Sequence, residues 1–240
     1  MQQADVTLLR RAFRSAFPHT LPVLTGFAVL GIAYGVLMNT KGYGVFWAVL
    51  MSAAAFCGSM QFVAITLLTA AFNPVQALIL SIMVNARHLF YGIALLDKYK
   101  GLGKIRFFLI FWLCDETFSI ACSADPPAGI PKAYFYGWIS FLNYSYWVCA
   151  TFIGGVLGQL LTFNTAGLDF VLTALFTVLF LEQLLTKENR LPGMIGLVCT
   201  IAGRLLFGAD NCVIPSMLLI LAAFIFGRKY LEKAGARHAS

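Results

Sequence analysis

Charge is scarce in this sequence: only 11% of its 240 residues are Asp, Glu, Lys or Arg, against about 25% in an ordinary soluble domain. That shortage argues against a water-soluble fold, and the mean hydropathy of +0.82 with 60% hydrophobic residues points the same way. No linker, low-complexity tract or soluble domain interrupts the chain, so it reads as one integral membrane domain over residues 1–240. Catalytic patterns are missing as well: there is no HExxH, GxSxG or P-loop. The acidic stretch Gly208-Ala209-Asp210 falls at a loop and makes an enzyme remote. The six cysteines (Cys57, Cys114, Cys122, Cys149, Cys199 and Cys212) form no CxxC pair. They read as small buried hydrophobes rather than as a metal or redox site, and no metal or cofactor is expected.

What is present is apolar length. A crossing of the hydrocarbon core takes about 20 apolar residues. Candidate segments lie at 18–38, 45–72, 75–96, 106–123, 134–161, 168–186, 192–207 and 213–230. The fold class is therefore all-α, a polytopic transmembrane bundle of seven to eight segments. Turn and helix-start signals separate them at Asn73-Pro74, Asp125-Pro126-Pro127, Asn164-Thr165, Leu191-Pro192 and Asp210-Asn211. The basic start resembles a signal sequence, but the apolar run from Leu21 to Met38 is long for one and reads as the first helix.

The net charge of +7 does not form a stripe on a polar face, so nucleic acid is not the expected partner. Basic residues sit between and beyond apolar runs: Arg10, Arg11 and Arg14; Lys98, Lys100, Lys104 and Arg106; Arg228, Lys229, Lys233 and Arg237. Such residues mark cytoplasmic loops. With a cytoplasmic N-terminus, three plain passes would put the basic loop 97–106 outside. One segment is therefore expected to be discontinuous or re-entrant. The best candidate is 45–72, interrupted around 57–61 by Cys57-Gly58-Ser59-Met60-Gln61. In the second half an even number of crossings is needed and five segments are available. Segment 134–161, with Asn143-Tyr144-Ser145-Tyr146, or the short 192–207 is expected to be irregular. One irregular segment in each half is the pattern of an inverted-repeat transporter, although no sequence repeat is evident.

An ionisable group at bilayer depth costs about 2.5–3.5 kcal/mol on insertion scales and calls for a partner or a task. Asn85-Ala86-Arg87-His88 and Asp115-Glu116-Thr117 lie at matching depths on either side of the loop 97–106. Arg87 is expected to pair with Asp115 or Glu116. One reading is an ion pair that fixes helix packing; the other is a polar cavity in which His88 or a carboxylate exchanges a proton. On a helix Asn85, His88 and Gly92 share one face, and Arg87 and Tyr91 the adjoining one. A helix broken at Gly58-Ser59 would offer a half-helix N-terminus to the carboxylate of an amino acid. The competing account is a glycine kink with Ser59 and Gln61 bonded to neighbours. Candidate substrate contacts are thus Gly58, Ser59, Gln61, Asn85 and Tyr34; candidate charge-pair or proton-coupling groups are Arg87, His88, Asp115 and Glu116. Gly154, Gly155 and Gly158 look like close helix packing, while Glu182 and Gln183, and Arg204 near Asp210, are read as snorkelling at the interface.

Over most of its length, from about Pro18 to Arg204, the chain resembles the AzlC (LIV-E) family of branched-chain amino-acid exporters. The resemblance rests on GIAYG at 31–35, CGSMQFVAI at 57–65, NARHLFYG at 85–92, DETFSI at 115–120 and GLDFVLTALF at 167–176. It implies the large subunit of a secondary transporter in the bacterial cytoplasmic membrane, exporting branched-chain amino acids and toxic analogues on the proton gradient. It also implies a small AzlD-like membrane subunit as partner. The nearest rival function is a passive channel, which would show rings of like charge or a carbonyl filter that this sequence lacks.

Overall fold

A computed structural model describes residues 2–69, 73–160 and 190–238, with positions 174, 177, 180, 181, 184 and 185 between them. The segment expected at 168–186, including Glu182 and Gln183, lies largely outside the described residues, as does the Asp210 side chain. The described residues form helices joined by turns and short loops, with no strand among them, and the chain divides into two compact units, 1–165 and 166–240.

In the first unit, α1 (Gln2–Thr40) carries Pro18 and Pro22 inside a continuous helix that includes the basic start. The expected interruption of segment 45–72 is real, but it lies earlier than Gly58-Ser59. α2 (Val45–Ala55) ends on Phe56, whose φ of 41° and ψ of 50° are left-handed, and α3 (Gly58–Thr69) begins two residues later. Gly58 to Gln61 are therefore the first turn of a half-helix rather than the break itself. α4 (Pro74–Ala94) is unbroken, started by Asn73, whose side chain accepts from the amides of Val75 and Gln76.

Segment 106–123, expected as a plain pass, is instead two pieces. α5 (Ile105–Phe111) stops at Trp112, and α6 (Asp115–Ser123) starts after the extended residue Cys114. The two segments nominated as irregular in the second half are not. Residues 134–161 fall on the long continuous α7 (Lys132–Leu160), and 192–207 lies within α8 (Arg190–Asn211), which departs from helical geometry only at Gly208. The polar run at 143–146 serves packing and hydrogen bonding, not a break.

Both interrupted segments return to the side they entered. The Tyr43 hydroxyl, just before α2, donates to the carbonyl of Leu68 at the end of α3 at 3.0 Å. Across the first hairpin Gln61 Nε2 donates to Ser52 Oγ at 2.8 Å, two residues nearly equidistant from the tip. In the second hairpin Lys98, in the turn after α4, donates to the carbonyls of Ala121 and Cys122 at the end of α6, at 2.8 and 3.3 Å. That ammonium satisfies carbonyls a helix C-terminus leaves free, where a cation is favoured by the dipole. Leu95, Tyr99, Leu109, Leu113, Ala121, Phe135 and Tyr136 close one core cluster around this end.

α1, from about Phe13 onward, runs parallel to α7. Phe13 meets Trp138 at 5.1 Å between ring centroids, Phe27 meets Trp147 at 5.2 Å, and Asn39 reaches Gly158. The seam is closed by small residues: a Cβ on Gly35 would collide with the α7 backbone at Thr151 and Gly155, and one on Gly154 with Ile32. Since α1 and α7 start on the same side, α4 returns to that side and each hairpin dips from a different one. A hairpin followed by a long helix therefore occurs twice with opposite direction, α2–α3 with α4 and α5–α6 with α7.

In the second unit, α8 and α9 (Val213–His238) are joined at Cys212 and approach closely where Gly203 faces the buried Ser216. Leu197, Val198, Ile201 and Leu205 are exposed, an apolar surface suited to lipid.

Candidate functional site

The tips of the two hairpins meet beside the middle of α7. Tyr144 packs its ring on Phe56 of the first tip at 5.1 Å and on Trp112 of the second at 5.5 Å, and its hydroxyl donates to the Ala53 carbonyl at 3.0 Å. With the adjacent Asn143 and, about one turn on, Trp147, α7 grips each second half-helix. Asn143 Nδ2 donates to Thr117 Oγ1 at 3.0 Å, and Trp147 Nε1 donates to Gln61 Oε1 at 2.8 Å. Thr151, one further turn along, shares a 2.9 Å hydrogen bond with Ser52. Residues 143, 147 and 151 are spaced by four, so they form a single polar row on one helix face.

From the other flank Arg87 joins the same two tips. Its Nη2 donates to Ser59 Oγ at 2.5 Å, in the first turn of α3, and its Nη1 lies 2.7 Å from Asp115 Oδ2, in the first turn of α6. Asp115 and Glu116 both sit in that first turn, where the positive end of the helix dipole favours carboxylates. Of the two acids open to Arg87, Asp115 takes the ion pair. Tyr91, one turn along α4, stacks on Phe118 at 4.3 Å and continues the contact between α4 and α6.

Beside this clamp lies a cavity of about 640 Å³, within the range of about 300–1,000 Å³ usual for small-molecule sites. The first hairpin contributes Phe56, Cys57 and Met60 to its wall, and the second Ile110, Phe111 and Leu113. α4 contributes Ser81, Asn85 and His88 as its polar edge. The Oδ1 atom of Asn85 is buried and has no hydrogen-bond partner. His88 Nδ1 lies 3.3 Å from the Asn85 carbonyl, and the ring stands edge-on to Tyr91.

The sequence candidates therefore divide. Asn85 and His88 line the cavity. Arg87, Asp115 and Ser59 do not; they hold its walls together. Gln61 is fully buried and bonded to Ser52 and Trp147, and Tyr34 is fully buried against Phe62 and Trp147, so neither lines the cavity. Gly58 lies against the Trp147 ring, where an added Cβ would stand 3.4 Å away, and Glu116 is half-buried beside Asp115. Sequence reasoning missed Ser52, Trp147 and Thr151. The four-residue spacing of Trp147 and Thr151 with Asn143 on α7 is visible in the sequence, but without the hairpin fold nothing says that the row faces Gln61 and Ser52. No group of three or more metal-ligating side chains occurs among the described residues.

Comparison with known proteins places these residues in a wider context. The protein family described as "AzlC protein" matches residues 22–161, the stretch that holds α1 from Pro22 onward, both hairpins, α4 and α7. A Bacillus subtilis protein named "Branched-chain amino acid transport protein AzlC" is 50% identical over 93% of this chain and 88% of its own length. A Helicobacter pylori protein named only as an uncharacterized membrane protein is 36% identical over 92% of this chain and 97% of its own. The Escherichia coli inner membrane protein YgaZ is 27% identical over 86% of each. No solved structure matches the chain.

Proposed function

The chain belongs to the AzlC family of membrane proteins, and from that premise we propose that it is a secondary transporter exporting branched-chain or similar apolar amino acids, coupled to protons. The observation that carries the reading is the cavity between two oppositely directed hairpin tips. Its aliphatic and aromatic walls suit a leucine-sized side chain, and the amide of Asn85 and the imidazole of His88 supply a polar edge for the amino-acid head.

The half-helix start, whose Cys57 and Met60 line the cavity, offers first-turn backbone amides to the substrate carboxylate, because the first turn of any helix leaves its N–H groups without an intrahelical partner. Arg87 holds the two tips together, so exchange of its contacts with Ser59 and Asp115 lets one hairpin or the other move aside. That exchange would open the cavity to alternate faces. His88, at the cavity wall, is the seat for a transported proton, since imidazole changes charge near neutral pH. A small AzlD-like membrane subunit is the proposed partner, and co-purification with the tagged chain tests it.

Concentrative counterflow of labelled leucine in proteoliposomes, with an imposed pH step, tests the main reading. Uptake above the leucine gradient, lost in Ala64→Trp where the side chain would fill the cavity, is the expected result. Flux that never exceeds its own gradient under a pH step would leave a passive pathway instead.

A further inference from the structure

A second cavity, of about 310 Å³, adjoins the first on the side of the basic loop. The two share His88, Ile110 and Leu113 as a common wall. Away from that wall the second cavity is bounded by Ile93 and Leu96 of α4 and the turn after it, by Tyr99, and by Arg106 at the start of α5. Two of these groups are unusual. Tyr99 is only 3% exposed, and its hydroxyl has no hydrogen-bond partner. Arg106 is half-buried, and among the described residues no hydrogen bond or ion pair engages its guanidinium.

A half-buried guanidinium without a protein partner is free to take a planar anion, and carboxylate answers it with two parallel hydrogen bonds. Lys98, by contrast, is occupied by Asp125 and the end of α6, which leaves Arg106 as the cation that faces this space. Apart from His88 and Tyr99, the remaining side chains of the wall are aliphatic. Anion at one end and apolar surface at the other describe an apolar carboxylate, which under the transport reading above is an apolar α-amino acid. The shared wall places it one step from the central cavity.

We propose that this second cavity is a vestibular subsite that holds an apolar amino acid by its carboxylate on Arg106 before it passes His88 into the central cavity. The proposal rests on the transport reading above. Passage requires His88 and Leu113 to swing from the shared wall, so the imidazole stands between the two stations.

Equilibrium binding of labelled leucine to the purified full-length chain in lipid nanodiscs tests this. The wild type is expected to bind two leucines per chain. Arg106→Gln should lose one and keep the other within about twofold of its affinity, whereas Arg106→Lys, which keeps the charge, should retain both with the second weakened by about tenfold. Leu96→Trp, which fills the space without touching the charge, should also lose one. One leucine per wild-type chain, or two in Arg106→Gln, would overturn the proposal. So would a phospholipid that copurifies with the wild type and is absent from Arg106→Gln while each binds one leucine, since Arg106 would then hold a lipid headgroup. Counterflow that persists with a single binding site sinks the vestibule but leaves the transporter intact; absence of both binding and counterflow sinks the transport reading itself.

Discussion

Arg87 and Asp115 form an ion pair at 2.7 Å between an unbroken helix and the first turn of a half-helix, and the same guanidinium bonds Ser59 on the opposing half-helix. The side chains keep 41% and 39% of their exposure, so the pair is worth less than a buried one, about 1 kcal/mol of coupling in a double-mutant cycle. Its geometric role is larger. Arg87→Lys supplies one charge but cannot fork between Ser59 and Asp115. Transport is expected to fall by about tenfold or more in Arg87→Lys and Asp115→Asn, while thermal stability in detergent drops by only about 1–2 kcal/mol. Equal losses of stability and transport would make the pair a packing element.

The α1–α7 seam should tolerate no side chain at its tightest points. Gly35→Val and Gly154→Val would each drive a branched side chain into the facing backbone. Overpacking commonly costs about 1–3 kcal/mol, and more where backbone is struck. Both variants are expected to reduce folded yield sharply in size-exclusion profiles. Gly26 supplies the control, because an added Cβ there meets nothing within 4 Å. Gly26→Ala should be neutral or stabilise by up to about 1 kcal/mol through helix propensity.

Asp125, in the loop between α6 and α7, takes a hydrogen bond from Lys98 and another from the Tyr136 hydroxyl. The Lys98 hydrogen bond, with that of Tyr136 and the nearby ammonium charge, holds its carboxyl below the ordinary value of 3.8. A carboxylate depressed in the folded state stabilises above its unfolded pKa, and the contribution is lost as pH falls through the folded value. Thermal stability should therefore be insensitive to this contact above about pH 5 and decline below about pH 4. In Lys98→Met the decline at this loop should flatten, because the carboxyl then titrates near its unfolded value. An unchanged acid limb would show that the Lys98 contact is not formed.

Hydropathy made the helical membrane fold legible, and charge bias made one re-entrant segment legible. The loop containing Lys98 and Lys100 had to return to the side of Arg10 and Arg14, and the hairpin at Phe56 and Cys57 is how it does so. The second hairpin was hidden because Ile105–Phe111 and Asp115–Ser123 together have the length of one crossing. The residues at the break, Trp112-Leu113-Cys114, carry no glycine or proline to betray it. Asn143 and Tyr144 stand out as polar in an apolar run, but sequence alone cannot say whether a polar row on α7 faces hairpin tips or interrupts its own helix. The pairing of Arg87 with an acid followed from depth matching. Its bond to Ser59 did not, because it depends on where the first tip stops. Gln61 reads as a site residue because it belongs to the polar patch Gly58-Ser59-Met60-Gln61, yet the competing account holds for it: Ser52 and Trp147 satisfy both ends of its amide.

The inverted hairpins make a sharp prediction about sidedness. Lys41 and Asn73 bracket the first hairpin, and Lys104 and Lys132 bracket the second. In a background with the native cysteines replaced, single cysteines at 41 and 73 should react with an impermeant maleimide from one face of the membrane, and those at 104 and 132 from the other. A plain crossing by α2–α3 would separate 41 from 73, and a plain crossing by α5–α6 would separate 104 from 132. Each half of the experiment therefore tests one hairpin without reference to the other. A cysteine at Phe56 or Trp112 should label slowly from either face at rest. If labelling at 56 speeds up when leucine is supplied, the first tip moves in the transport cycle; unchanged rates at both tips with leucine present would mean that the hairpins are static and that the gate lies elsewhere.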